Sequence, residues 1–379
     1  MHIEHVKQHL PRSPVFLIDQ QRVQDNLQQL ATLKKHSGCK VLYSIKALPL
    51  ASVMRWTMAV VDGFSVSSLY EARLAQQVLA GQGSIHLTTP GLRTEELPEL
   101  MQLCSHISFN SLNQWQRFSE LPSGSASLGL RVNPKLSFAP DVRFDPCRLH
   151  SKLGVDIHAL GEQGLPPQVA GLHFHTVFAA TDFAPLLQTV AALRYQLGKQ
   201  FAQLRWLNLG GGYLFSDITD HSPFIALVKQ LRQAFALEVY IEPGKAVVEQ
   251  AGYLVSSVID CFYSDGKQVV VLDTSINHHP EVFEYQRQPV LLEQQAGGRY
   301  AALLVGSTCL AGDVFGEYQF EQPLGLGDRV VFDNVAAYSL IKANRFNGYP
   351  LPDIYTLNQQ QLVLLQRDSY EAYRQQWLN

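Results

Sequence analysis

Residues 40–46 read KVLYSIK, a strand-forming apolar run that closes on a lysine, Lys46. An ammonium in such surroundings is costly unless it is paired or chemically used. Desolvated at a strand end, it sheds its proton more readily, becomes nucleophilic and can form a Schiff base. The plainer reading is a side chain snorkelling out to water. LNLGGGYLF sets Gly210, Gly211 and Gly212 behind a second apolar run, and consecutive backbone N–H groups can close around an anion. The pattern is not GxGxxG and no acidic ribose partner follows, which speaks against a dinucleotide. In IEPGKAVV, Glu242 ends a third run; its carboxylate requires a cationic or N–H partner, either a protein salt bridge or a protonated pyridine nitrogen. Lys245 is a surface charge or a further phosphate contact. GLHFHTV places His173 and His175 at strand spacing on one face. That suits a metal pair, a ring stacked on a flat cofactor, or two packed histidines. GSTCLAGDVFGEY offers Cys309 and Asp313 as proton donor and amine binder, or as a buried thiol beside a turn aspartate. Asp273 in VVVLDTS and Tyr338 in NVAAYSLIKANRFNGYP complete the candidates.

The elements that must position these groups alternate. RVQDNLQQLATLKKH, SLYEARLAQQVLA, TEELPELMQLC, LNQWQRFSEL, FAPLLQTVAALRYQLGKQF and SPFIALVKQLRQAFA read as helices. CKVLYSIKA, SIHLTT, HISFN, ASLGLRVNP, VAGLHFHTV, LRWLNLGGG and EVYIEPG read as strands. This alternation predicts parallel strands with helical crossovers. Seven clear strands and one weak one favour an α/β fold of (β/α)8 barrel type over 22–245, with its chemistry at the C-terminal strand ends. Beyond it, AVVEQAGYLVSSVIDCFYS, KQVVVLDTS, YAALLVGS and DRVVFDNVAAYS are strand-like. They predict a mostly β domain over 246–379, which the strand PVFLID from residues 1–21 is expected to join.

The bulk properties agree with a two-domain globular protein. The chain has 379 residues, 46% hydrophobic and 17% charged, with a net charge of -3 and no basic run. Nucleic acid is therefore not the expected partner. The N-terminus lacks an apolar signal region, and no segment approaches the ~20 apolar residues of a membrane span. Five scattered cysteines without CxxC spacing suggest reduced thiols in a cytoplasm.

Taken together, the chain resembles the fold-type III pyridoxal-phosphate decarboxylases, the group that contains ornithine, arginine and diaminopimelate decarboxylases. The likeness is strongest to its carboxynorspermidine/carboxyspermidine branch. It is carried by SSLYEARL, ISFNSLNQWQRF, LGLRVNP, SKLGV, GLHFHT, LRWLNLGGGY, IEPG, STCLAGDVFGEY and FNGYPLPDI. The resemblance implies pyridoxal 5'-phosphate as cofactor and no metal. It implies that Lys46 carries the cofactor, His175 stacks on its ring and Glu242 pairs with its ring nitrogen. Gly210, Gly211, Gly212 and Tyr338 are implied to hold its phosphate. Asp313, Asp273, His279, Arg131 and Phe346 are expected around the substrate. Cys309 and Asp313 are expected to enter the neighbouring subunit's site, so a homodimer is implied, with Cys309 reprotonating the reacting carbon.

The chain departs from that branch at Val177–Ala179, where Leu-Cys-Glu is usual, at Lys245, where Glu is usual, and at His279-Pro280-Glu281-Val282. YSIKALPL around Lys46 is also unlike the usual Leu-Lys-Ala-Phe. An acidic group that would meet a polyamine nitrogen is missing. A diamino acid or a siderophore-type intermediate is therefore an alternative substrate. A racemase of the same fold and a metal-dependent hydrolase using His173 and His175 are the other readings.

Overall fold

A computed structural model describes residues 3–119 and 124–378. It divides into two compact units: Asp25–Val247, and a second formed by Met1–Gln24 with Val248–Asn379.

Strands are numbered along the chain. β1 (Val15–Asp19) belongs to the second unit. The first unit holds β2 (Lys40–Ser44), β3 (Gly63–Val66), β4 (Ser84–Thr89), β5 (His106–Phe109), β6 (Ser127–Asn133), β7 (Val155–Asp156), β8 (Gly171–His173), β9 (Trp206–Asn208) and β10 (Glu238–Ile241). Pairing runs β2-β3-β4-β5-β6-β8-β9-β10 and returns from β10 to β2, every pair parallel. Eight strands thus close a barrel with helices between them, and β7 adds a short parallel bridge to β6. The expected barrel is present.

Local chemistry explains where its helices begin. Ser68 accepts a hydrogen bond from Glu71 N–H, while the Glu71 carboxylate accepts one from Ser67 N–H. Ser111 and Gln114 repeat the arrangement, with Gln114 Oε1 reaching back to Asn110 N–H. Both are capping boxes, which satisfy N–H groups that the helix cannot pair internally. Inside the barrel, the Trp206 indole donates to Ser127 Oγ at 2.9 Å. His86 and His106 stack 3.9 Å apart at 11°, with Tyr240 4.6 Å from His86. The Tyr240 hydroxyl donates to Glu238, which also pairs with Lys40 at 2.8 Å.

The second unit adds β11 (Gly252–Ser264), β12 (Lys267–Leu272), β13 (Tyr300–Val305), β14 (Val314–Phe320), β15 (Arg329–Phe332), β16 (Asp353–Asn358) and β17 (Gln361–Gln366). Its sheet runs β14-β13-β12-β11-β1-β16-β17, and β15 also pairs with β11. β1 lies antiparallel to β11 and parallel to β16. Phe16, Leu254, Val270, Leu304, Phe315 and Phe332 are among the buried residues of its core.

Several elements differ from expectation. The eighth barrel strand is β3, four residues between Asp62 and Ser67 that are too few to display a period. β8 stops at His173, so His175 lies beyond the strand. The AVVEQ stretch is a short helix, Lys245–Val248, and extended structure resumes only at Gly252. The helix expected over 112–121 is Leu112–Phe118; Glu120 and Leu121 lie outside the described residues. Among the described residues, no helix is long and apolar enough to cross a membrane.

Candidate active site

A cavity of about 420 Å³ opens in the barrel unit, with Lys46, Ser67, Arg131, His173, His175 and Glu242 in its wall. These residues sit at or just past the C-terminal ends of parallel strands, the face on which barrel enzymes assemble their sites. Lys46 occupies a single helical turn, Ile45–Ala47, directly after β2. Its flanking residues are buried while its own side chain presents surface to the cavity. The surrounding protein desolvates the ammonium and lowers its pKa; Glu242 and Glu71 oppose that shift and Arg131 adds to it.

Glu242 is 9% exposed. Its Oε1 accepts a hydrogen bond from the Asn208 amide at 2.7 Å, and its Oε2 lies 3.3 Å from His173 Nε2. Burial pushes this carboxyl up, but His173, Asn208 and the Lys46 charge together hold it below the ordinary glutamate range. It is an anion in the site. Burial lowers the pKa of both His173 and His175, leaving neutral rings. His175 Nδ1 accepts a hydrogen bond from Gly211 N–H at 3.2 Å, so its remaining proton belongs on Nε2. The two histidines are engaged by different partners, one a carboxylate and the other a backbone amide.

The glycine run is held tightly. Gly210 and Gly212 have φ of +68° and +92°, and a Cβ at Gly211 would overlap the Glu242 carbonyl oxygen. Glu242 N–H in turn donates to Gly210 O at 2.7 Å. The missing side chains thus let the loop after β9 press against the end of β10, bringing the Gly triplet, His175 and Glu242 together. Lys245 lies in the helix that follows.

The remaining candidates lie in the β unit. Cys309 is exposed, and its thiol donates to Asn347 Oδ1 at 3.1 Å. Asp313 is 3% exposed, with Ile276 N–H, Thr308 N–H and the Thr308 hydroxyl donating to its carboxylate. These bonds anchor the turn between β13 and β14 within the single chain. Asp273 is likewise committed, to the hydroxyls of Ser13 and Ser256 and to Ser257 N–H. His279 is buried, its pKa pushed down to about 4. Tyr338 is half-buried in the left-handed region, φ +62°, an unusual conformation for an aromatic residue. Its phenol is pushed up to about 12 by burial and by Glu281. Phe346 lines a separate surface hollow with Tyr373 and Trp377.

Some site residues escape sequence reasoning. Asn208, which fixes Glu242, was legible only as a polar residue closing an apolar run before the glycines. Ser65 in β3, Ser67 just after it and Thr88 in β4 also line the cavity; Ser65 and Thr88 belong to none of the stretches that carry the family resemblance, whereas Ser67 opens SSLYEARL. Phe178, one of the three departing residues, stacks on the cavity residue Phe144 at 5.0 Å and 19°. Aromatic surface thus occupies the segment where an acid was expected.

Comparison with known proteins gives this geometry its context. The family described as pyridoxal-dependent decarboxylase, C-terminal sheet domain, matches residues 18–336. A carboxynorspermidine/carboxyspermidine decarboxylase of Campylobacter jejuni is 32% identical over 96% of this chain and 97% of its own. A carboxyaminopropylagmatine decarboxylase of Synechocystis is 34% identical over 96% and 94%. The crystal structure of a Campylobacter jejuni carboxynorspermidine decarboxylase complexed with norspermidine has a TM-score of 0.86 at 30% identity, covering 96% of this chain and all of that one. Helicobacter pylori diaminopimelate decarboxylase, complexed with L-lysine, has a TM-score of 0.83 at 19% identity over 99% of each chain, a likeness of fold. With a family match over most of its length and relatives above 30% identity across nearly all of it, the chain belongs to the fold-type III, pyridoxal-phosphate-dependent amino-acid decarboxylases.

Proposed function

We propose that the enzyme converts a carboxyaminopropyl amine to the corresponding polyamine by releasing its α-carboxyl group as carbon dioxide. Carboxynorspermidine, carboxyspermidine and carboxyaminopropylagmatine form this substrate class. The observation that carries the reading is whole-chain identity. Relatives named for these substrates are 32% and 34% identical, whereas a diaminopimelate decarboxylase of similar coverage is 22% identical.

The residues present fit pyridoxal phosphate. The donor set combines an amine of lowered pKa with a carboxylate kept ionised, beside a glycine turn packed against the ends of neighbouring strands. When bound, the cofactor supplies an electron sink for the pair left behind by departing carbon dioxide. Lys46 Nζ, more readily deprotonated than an ordinary lysine, is the amine that holds the cofactor and later releases the product. Glu242, anchored by Asn208 and His173, keeps a proton on a pyridine nitrogen by charge pairing. His175, its tautomer set by Gly211 N–H, offers a neutral ring for stacking. The Gly210–Gly212 turn is proposed to lie against the phosphate, although Gly210 N–H and Gly211 N–H already donate to Asn208 Oδ1 and His175 Nδ1.

Cys309 is proposed to deliver the proton to the carbon that has lost its carboxyl, from a second copy of the chain. Its exposed thiol, oriented by Asn347, is consistent with that role. Mixing Lys46→Ala and Cys309→Ala proteins would then restore activity that neither has alone; failure of mixing to restore it removes the shared-site reading.

Substrate class is tested by carbon dioxide release from the cofactor-loaded enzyme. The panel comprises the three carboxyaminopropyl amines, diaminopimelate, ornithine, lysine, arginine and a siderophore-type amino acid. Highest kcat/KM on a carboxyaminopropyl amine is expected; preference for any of the others overturns the proposal.

A further inference from the structure

Among the described residues, the cavity wall holds one acid besides Glu242, and that is Asp145. It follows a single helical turn, Val142–Phe144, on the connection between β6 and β7. The residue is 5% exposed. Cys147 N–H donates to its Oδ1 at 2.8 Å, and the Ser137 hydroxyl donates to its Oδ2. Both donors are neutral, and among the described residues no lysine, arginine or histidine forms an ion pair with it. A buried anion without a countercharge is costly unless the site uses it. Each carboxylate oxygen keeps acceptor capacity beyond the bond it has taken. Next to Asp145 in the same wall is the ring of Phe144, backed by Phe178. An apolar face beside an unpaired acid suits a run of methylenes that ends in a cation.

The rest of the wall makes this acid decisive for a polyamine precursor. Arg131, Arg148 and Lys152 line the cavity and repel an ammonium. Arg143 is taken up by Asp141 at 2.7 Å. Val177–Ala179 contributes no charge, and Glu242 is held by Asn208 and His173. We propose that Asp145 is a specificity-determining residue: it receives the ammonium or guanidinium at the far end of the substrate, while Phe144 packs against the methylenes before it. The inference rests on the substrate reading above and names the group in this chain that enforces it.

The test uses the cofactor-loaded enzyme and two compounds: carboxynorspermidine, and an analogue in which a methyl group stands in place of the terminal amine. Wild type is expected to show a lower KM for the amine-bearing compound. Asp145→Asn keeps the shape and an acceptor for Cys147 N–H but removes the charge. It is expected to raise KM for carboxynorspermidine by about 10-fold or more, as loss of a charged hydrogen bond would, with kcat nearly unchanged and the analogue unaffected. Ser137→Ala loosens the same turn with the charge intact and is expected to keep the preference. The proposal is overturned if Asp145→Asn retains the preference, if it weakens both compounds equally, or if Ser137→Ala erases the preference as fully. Should Asp145→Asn not fold, Asp145→Glu decides: a kept preference sustains the proposal and a lost one overturns it. Wild type that releases carbon dioxide from neither compound would instead defeat the substrate reading itself, and this inference with it.

Discussion

At the scale of single residues, reactivity here comes from setting an accessible amine and a buried carboxylate in the wall of one cavity. Lys46 is surrounded by protein yet open to a cavity, which makes its proton easy to lose and its nitrogen easy to reach. Lys46→Ala is expected to bind the cofactor without forming the borohydride-sensitive visible band; a band persisting in that variant would place the covalent bond elsewhere. Glu242 is held ionised chiefly by His173 and Asn208 against the pull of burial. Glu242→Gln is expected to lower kcat by about 10²-fold or more, with KM changing much less, because the lost charge matters to the electron sink. Asn208→Ala removes a hydrogen bond to that anion and is expected to destabilise the site by roughly 1.5–3 kcal/mol, read as weaker cofactor affinity in an absorbance titration. Equal affinity would mean that His173 alone fixes the carboxylate.

At the scale of elements, strand ends and the turns behind them do the positioning. The loop after β9 meets β10 so closely that only glycine fits at position 211. Gly211→Ala is expected to cost about 1–3 kcal/mol through overpacking and to weaken cofactor binding; thermal melting of apo and loaded protein separates the two effects. This level also decides what sequence can tell. The long helices and the apolar runs ending in Lys46, the Gly210–Gly212 triplet and Glu242 were legible because their periods and ends are local properties. β3 was not, since four residues between polar flanks carry no readable period. Nor could the burial of Asp313 be read: its main-chain donor at Ile276 lies in a distant segment, brought near only by the sheet.

At the scale of the whole molecule, buried histidines make stability depend on acidity. Burial drives His106, His278 and His279 from the usual 6.5 to about 4, and burial plus its His106 neighbour drives His86 well down. The unfolded chain accepts these protons near pH 6.5, whereas the folded one resists until near pH 4 or below. Stability from this source is therefore complete above about pH 6.5 and is lost as pH falls toward 4. The slope is up to about 1.4 kcal/mol per pH unit for each histidine. Urea midpoints measured from pH 7 to pH 5 should fall steadily, and His106→Phe should flatten the trend; a flat wild-type profile would mean that these rings already titrate normally.

The strand order of the β unit has a consequence for how the protein is made. β1 is synthesised before the barrel, but its two neighbours, β11 and β16, are encoded downstream of the barrel sequence. Its backbone amides must wait, unpaired, through synthesis of the entire barrel sequence. Premature termination anywhere before β16 leaves that edge exposed and prone to adhesion, so truncated products should be recovered in inclusion bodies rather than as free barrels.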